Sequence, residues 1–319
     1  MNLNIRRLWA QSLCILVAFS VTGVNAQQIE EIVVTAQKRA QNQQDVPVAL
    51  DAFTGEMLQQ SSIKTMRDLA GMTPALTSFQ SQNAGFSSWG IRSINTSSQN
   101  YGLESAVGSY VDNVYRARQS AIANQLVDIE AVEILRGPQG TLFGKNTSAG
   151  AISIRTVAPS HDRNGFFEIV GGDYGLVNVN AAANMSLGDN LAMRATVFTS
   201  DRDGFVTNLS APNGEKLNDR DRQGSRIQVL YEPSDRTSMR LIMDYAEVTE
   251  ICCAALTKKN NLFHTHTGAV VPGTDFLISH PTLGMGFPIT LEADFNKQQV
   301  YLNHLPKSNA EDKGISLEI

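Results

Sequence analysis

Along residues 177–187, "VNVNAAANMSL", side chains alternate with a period of two. Val177, Val179, Ala181, Ala183, Met185 and Leu187 share one face; Asn178, Asn180, Ala182, Asn184 and Ser186 share the other. That alternation predicts a β-strand with one apolar and one polar side. The scheme recurs. Leu191, Met193, Ala195 and Val197 oppose Arg194 and Thr196, and Ile227, Val229 and Tyr231 continue it, as do Met239, Leu241, Met243 and Tyr245. The pattern predicts strands near 165–172, 177–187, 191–200, 223–232 and 238–248, and "KGISLEI" opens another. The connections also alternate. Gly188-Asp189-Asn190 and "EPSDRT" are short, whereas 201–222 and about 247–311 are long. A soluble sandwich would alternate in side chains too, but short turns alternating with long loops fit an outward-apolar, inward-polar barrel.

Residues 45–158 show a different texture, that of a compact mixed domain. "VPVALDAF" predicts a strand from Val46 to Phe53, followed by a short helix over 55–60. Thr65 with Asp68 three residues on fits a capping box. The helix it starts carries Met66 and Leu69 and should stop before Pro74. "SAVGSYVDNVYRAR" reads as two strands about Asp112-Asn113, residues that tolerate the left-handed conformation of a tight turn. "IEAVEILRG" is a further strand ending at Gly137.

Then comes "RGPQGTLFGKNTSAGAISIRT", residues 136–156, with glycines at 137, 140, 144 and 150. Pro138 suits the second position of a turn and Gly140 the fourth. A nucleotide-binding P-loop fails on spacing: it needs Gly five residues before its Gly-Lys pair and Ser or Thr after it, where Gln139 and Asn146 stand. The glycines are expected to serve tight turns and close packing.

Residues 1–26 have the plan of a secretory signal peptide: Arg6 and Arg7, an apolar run from Leu8 to Val21, and Val24-Asn25-Ala26 at the cleavage site. The mature chain should start at Gln27 in an oxidising, extracytoplasmic compartment. The whole chain has 26 Lys and Arg against 31 Asp and Glu, a formal charge of −5. Losing Arg6 and Arg7 takes it to −7, which argues against a nucleic-acid partner. No later stretch has enough consecutive apolar residues for a transmembrane helix. Next, "QQIEEIVVTAQKRAQNQQD" places a β-branched run before a polar stretch, Ala40 to Gln44, suited to a flexible leash.

"EEIVVTA", the run "VEILRGPQGTLFGKNTSAGAISI" and the order of these segments resemble a TonB-dependent outer-membrane receptor of the siderophore-receptor kind. The resemblance implies an α+β plug domain followed by the first strands of an antiparallel transmembrane β-barrel. It divides the chain into a signal peptide (1–26), a TonB box and tether (27–44), a plug (45–158) and the N-terminal part of the barrel (164–319). It implies that Glu30, Glu31, Ile32, Val33, Val34, Thr35 and Ala36 form the TonB box, which pairs as an added strand with TonB, part of an inner-membrane energising complex. Arg136, Gly137, Pro138, Gln139, Gly140, Gly144, Asn146 and Gly150 become the structural plug motif. Relatives often carry glycine after the "GIR" arginine, where this chain has Ser93, so the local turn is the point of departure. The implied function is active uptake across a Gram-negative outer membrane, in contact with its lipid. An iron–siderophore complex is the expected ligand. Vitamin B12, nickel chelates, oligosaccharides and plant-derived aromatics stay open.

A barrel wide enough for a plug needs about 22 strands, so the chain reads as a fragment of such a receptor. No catalytic constellation and no cofactor are expected. A soluble periplasmic binding module and a surface enzyme are the other classes. Three further features carry candidate chemistry. Cys252-Cys253 is expected to clip a loop. His264 and His266 lack a third metal ligand nearby. Arg116 and Arg118 form either an anion site or a solvated basic tip.

Overall fold

The computed structural model describes residues 32–35, 38–80, 87–97, 102–122, 126–210, 214–254, 256, 295–300, 302 and 305–319. The signal peptide, Glu30, Glu31, Ala36, His264 and His266 lie outside them.

The mixed domain is built on a sheet of five strands: β3 (Leu50–Thr54), β6 (Val107–Val111), β7 (Val114–Tyr115), β8 (Ile129–Arg136) and β9 (Gly150–Thr156). Their spatial order is β3-β8-β9-β6-β7, antiparallel except for the β6–β9 pair. β4 (Leu76–Gln80) and β5 (Ser87–Ile91) form a separate hairpin. β3 starts at Leu50, not Val46. Pro47 has no N–H to give a ladder, and the chain before it forms a 3-10 turn over Gln43–Asp45. Helix α1 (Gly55–Gln60) is capped by the Thr54 hydroxyl, and α2 (Met66–Met72) by the predicted box of Thr65 and Asp68. One face of the sheet buries Leu58, Met66, Leu69, Trp89, Ile134 and Ile152 in the main core.

The turns form where the sequence tolerates left-handed backbone. Asp112 and Asn113 have φ of 46° and 64°. After Ile91, Arg92 and Ser93 take 53° and 63°. The turn at the "GIR" departure therefore forms, with serine in a conformation that glycine adopts at lower cost.

The alternating segments form one antiparallel sheet in the order β10-β11-β12-β15-β16-β18. Their ranges are Asn164–Gly171, Val177–Gly188, Leu191–Arg202, Arg220–Ser234, Thr237–Ile251 and Lys307–Glu318. This wall carries its predicted faces. Asn178, Asn180, Asn184, Arg194, Thr196 and Gln228 are buried on the inner side, whereas Val177, Met185, Val197, Ile227 and Met243 are exposed on the outer side. The expected long loop 201–222 contains two short strands, β13 (Val206–Asn208) and β14 (Lys216–Leu217), which join β17 (Gln299–Val300) around buried Val206 and Leu217. Among the described residues no helix is long and apolar enough to cross a membrane, which says nothing of strands.

Candidate functional site

The β-branched run near the start is not a free tether. Val33–Val34 forms β1, antiparallel to β2 (Gln41–Asn42), and the Gln43 N–H donates to the Ile32 carbonyl at 2.9 Å. The leash expected over 40–44 is thus partly a strand, because its backbone can close a short ladder on Val33 and Val34. Val34 is fully buried in a second cluster, on Val46, Leu50, Ala52, Tyr110, Leu135 and Ala151, while Val33 is half exposed. Thr35 supplies the polar hold. Its N–H donates to Glu133 Oε1 at 2.7 Å, and its hydroxyl lies 3.2 Å from the same oxygen. Arg155 Nη1 donates to the Thr35 hydroxyl at 2.7 Å and reaches Glu133 at 3.5 Å. Glu133 is buried, and its Oε2 has no hydrogen-bond partner. The Val34 side chain, with Ile32 packed beside it, and the Glu133–Arg155 pair therefore hold Ile32–Thr35 against the sheet.

The glycine-rich loop closes the β8–β9 hairpin. Arg136 donates its N–H to the Ala49 carbonyl and pairs with Asp51 at 3.4 Å. Gly137 (φ 98°) donates to Ala149, and Gln139 to Thr147. The predicted turn through Pro138 and Gly140 is instead the entry to a short helix, α3 (Gly140–Phe143), since Leu142, Phe143 and Gly144 fold back onto Gln139 and Gly140 carbonyls. Gly150 is required: a Cβ there would stand 2.3 Å from the Leu135 carbonyl oxygen. Asn146 donates from Nδ2 to the Tyr115 hydroxyl, and the Tyr110 hydroxyl to the Phe143 carbonyl. Burial raises the Tyr110 phenol above its usual value. The neighbouring Lys145 hydrogen-bonds Glu104 at the surface, lowering the carboxyl and raising the amine.

The mixed domain meets the wall through charge. Asp128, just before β8, accepts from Arg194 Nε at 2.7 Å and Nη2 at 2.5 Å and from the Thr196 hydroxyl at 2.6 Å. Arg240 Nη2 donates to the Thr156 hydroxyl at 2.9 Å and lies 3.4 Å from Asp112. Gln228 donates to the Val157 carbonyl. In the other direction Arg116 pairs with Asp244 at 2.9 Å and Asp312 at 3.5 Å. Arg116 is therefore a clasp to the wall and not a solvated tip. Of these residues the sequence pattern places Arg194 and Thr196 inward. Asp112, Asp128, Glu133 and Arg240 carry no signal that names their partners.

Cys252 and Cys253 are joined by a disulfide just after β16, and Gln80 Nε2 donates to Cys252 Sγ at 3.4 Å. Among the described residues no group of three or more His, Cys, Asp or Glu is placed to hold a metal ion.

Known proteins share this fold. Residues 42–151 match the family described as TonB-dependent Receptor Plug Domain. The pesticin receptor of Yersinia pestis is 30% identical over 169 residues, 52% of this chain and 25% of the relative. The chain thus spans about a quarter of the length of the curated relatives it matches. The ferric yersiniabactin uptake receptor FyuA from Yersinia pestis superposes with a TM-score of 0.59 at 23% identity, over 64% of this chain and 32% of that one. The ferripyoverdine receptor of the outer membrane of Pseudomonas aeruginosa gives 0.57 at 15% identity, over 68% and 28%.

Proposed function

We propose that this chain, which carries a TonB-dependent receptor plug domain followed by antiparallel strands of the barrel found in those receptors, works in an outer-membrane receptor that takes up a scarce ligand at the expense of energy delivered by TonB. Receptors of this family are transporters, not enzymes. The observation that carries the reading is the seating of the plug: its acidic Asp112 and Asp128 meet Arg240 and Arg194 on the polar face of a wall whose other face is apolar. A soluble binding module has no use for that outer apolar face, which in a membrane meets lipid.

Energy would enter through residues 30–36. Strand addition by TonB suits Val33 and Val34. The described part of that segment is docked on the plug, so coupling requires it to leave Glu133 and the Val34 pocket. The ligand class we favour is an iron–siderophore complex, as borne by FyuA and the ferripyoverdine receptor. Export would follow cleavage after Ala26. The domain division is a plug over 45–158 with the barrel from 164.

The test is accumulation of radioiron-labelled catecholate, hydroxamate and phenolate siderophores by cells carrying the receptor, with and without TonB. TonB-dependent accumulation of one of them is expected. Surface binding without any TonB-dependent accumulation would refute the transport reading. Accumulation of a non-ferric ligand only would refute the siderophore assignment.

A further inference from the structure

Strands β12 and β15 are joined by the long connection 203–219, and β16 leads into another, 252–306, whereas the turns at 189–190 and 235–236 are short. Long connections mark the extracellular rim of a barrel. Arg202 closes β12 and Arg220 opens β15, so both stand at the outer end of the wall. They are direct cross-strand partners. Counting by twos, they share the inner face with Arg194, Thr196 and Gln228. β12 and β15 each have a neighbour on both sides, so neither is an edge of the sheet.

Two more arginines join them. Arg222 follows on the same face of β15, and Arg67 comes from α2 of the plug. Burial, and then the charge of Arg222, lower the Arg67 pKa. Glu250 pairs with Arg222 at 2.5 Å. Arg67 donates to the Gln80 side chain and Arg202 to the Asn218 carbonyl, both uncharged acceptors. Among the described residues the Arg220 side chain has neither an ion pair nor a hydrogen bond, although Arg202 and Arg222 lie beside it. The other nearby carboxylates are engaged by backbone: Asp68 takes the Lys64 and Thr65 N–H groups, and Asp219 takes that of Ile251.

Like charges directly opposite one another on a sheet are destabilising. Here the chain is acidic overall, at −5, yet it gathers four arginines around one paired carboxylate. An anion entering between them would offset that repulsion. A recess lined by one sign of charge also concentrates counter-ions, and the forked guanidinium matches oxyanions in two-point contact. The group faces inward, where a solute reaches it and surrounding lipid does not.

We propose that Arg67, Arg202 and Arg220 form an anion-recognition site at the outer mouth, shared by plug and wall, and that the transported solute presents anionic oxygens to it. The inference rests on the transport reading above and narrows its ligand to an anion.

The experiment uses the full-length receptor. Purified in detergent, it should melt higher in citrate than in sodium chloride of equal ionic strength. Arg220→Gln should lose that gain, and without citrate it should melt no lower than the parent, because a like charge has gone. Cells are then offered radioiron as the anionic tris-catecholate complex, the anionic citrate complex and an uncharged tris-hydroxamate complex. The parent should bind one of the anionic complexes best. Arg220→Gln should weaken that binding by about tenfold and Arg220→Lys by less. Arg236→Gln makes the same charge change in the short turn at the other end of the wall, and should leave binding within about twofold. Preference for the uncharged complex, or undiminished binding by Arg220→Gln, would overturn the anion site, while TonB-dependent accumulation would leave the transport reading standing. A citrate gain that persists in Arg220→Gln would mean an adventitious ion only and would also overturn it. Accumulation of none of the complexes would overturn the transport reading and the solute assignment with it.

Discussion

Glu133→Gln tests whether docking on the plug restrains the segment proposed to bind TonB. The carboxylate receives the Thr35 N–H at 2.7 Å in a site where only 3% of its side chain is exposed. Bonds to a charged acceptor contribute about 1.5–3 kcal/mol and neutral ones about 0.5–1.5. Glutamine keeps the shape and the Oε1 acceptor but removes the charge. The docked segment should therefore lose about 1–2 kcal/mol relative to the free one, a factor of about 5–30 in that equilibrium. If the docked form excludes TonB, its apparent affinity rises by the same factor while docking dominates. The assay is a titration of purified receptor in detergent with a fluorescent periplasmic domain of TonB. A thermal melt shows that the plug remains folded. Affinity unchanged or reduced, at an intact plug, would refute the competition. Glu133 lies outside the segment, so the change cannot act through a contact that TonB itself makes with residues 30–36.

Val34→Pro should leave ligand binding to cells within about twofold of wild type and abolish energy-dependent uptake, because proline removes a backbone donor and fixes its own φ; loss of surface binding along with uptake would make the segment a purely structural strand. Asp128→Ala should destabilise the seated plug by about 3–5 kcal/mol by stranding buried Arg194, and Asp128→Ala with Arg194→Met should cost less than the single change; urea unfolding of the purified receptor reads both. Ser93→Gly should stabilise the plug by about 0.5–1 kcal/mol and Ser93→Val should destabilise it, since the site holds φ of 63°; a melt giving the reverse order would remove the left-handed assignment.

Much of the wall was legible because its strands are long. A strand of twelve or fifteen residues repeats its two-residue period often enough to fix both faces, and the Asn178–Asn180–Asn184 column fell where the alternation put it. The Thr65–Asp68 box was legible because its atoms are three residues apart. β2, β14 and β17 were not, since each has two residues, too few to show a period. The site itself was the least visible part. Thr35 meets Glu133 across 98 positions and Arg194 meets Asp128 across 66. No local rule connects a carboxylate to a partner that only the completed sheet brings near. Val46 misled for a related reason: its side chain is apolar and buried, but Pro47 beside it bars the ladder.

The Cys252–Cys253 disulfide has a consequence for biogenesis. Its two cysteines are adjacent, so the bond closes no long loop and removes almost no conformational freedom from the unfolded chain. It also needs no fold to find its partner. A chain exported unfolded into an oxidising compartment can make this bond before any strand has paired. With Cys14 in the expected leader, the two are the only cysteines left among the mature residues of this sequence. Within it there is no wrong partner to choose and no isomerase needed to correct a choice. If the chain is exported as proposed, each thiol is removed by its neighbour from exchange with other proteins crossing the same space.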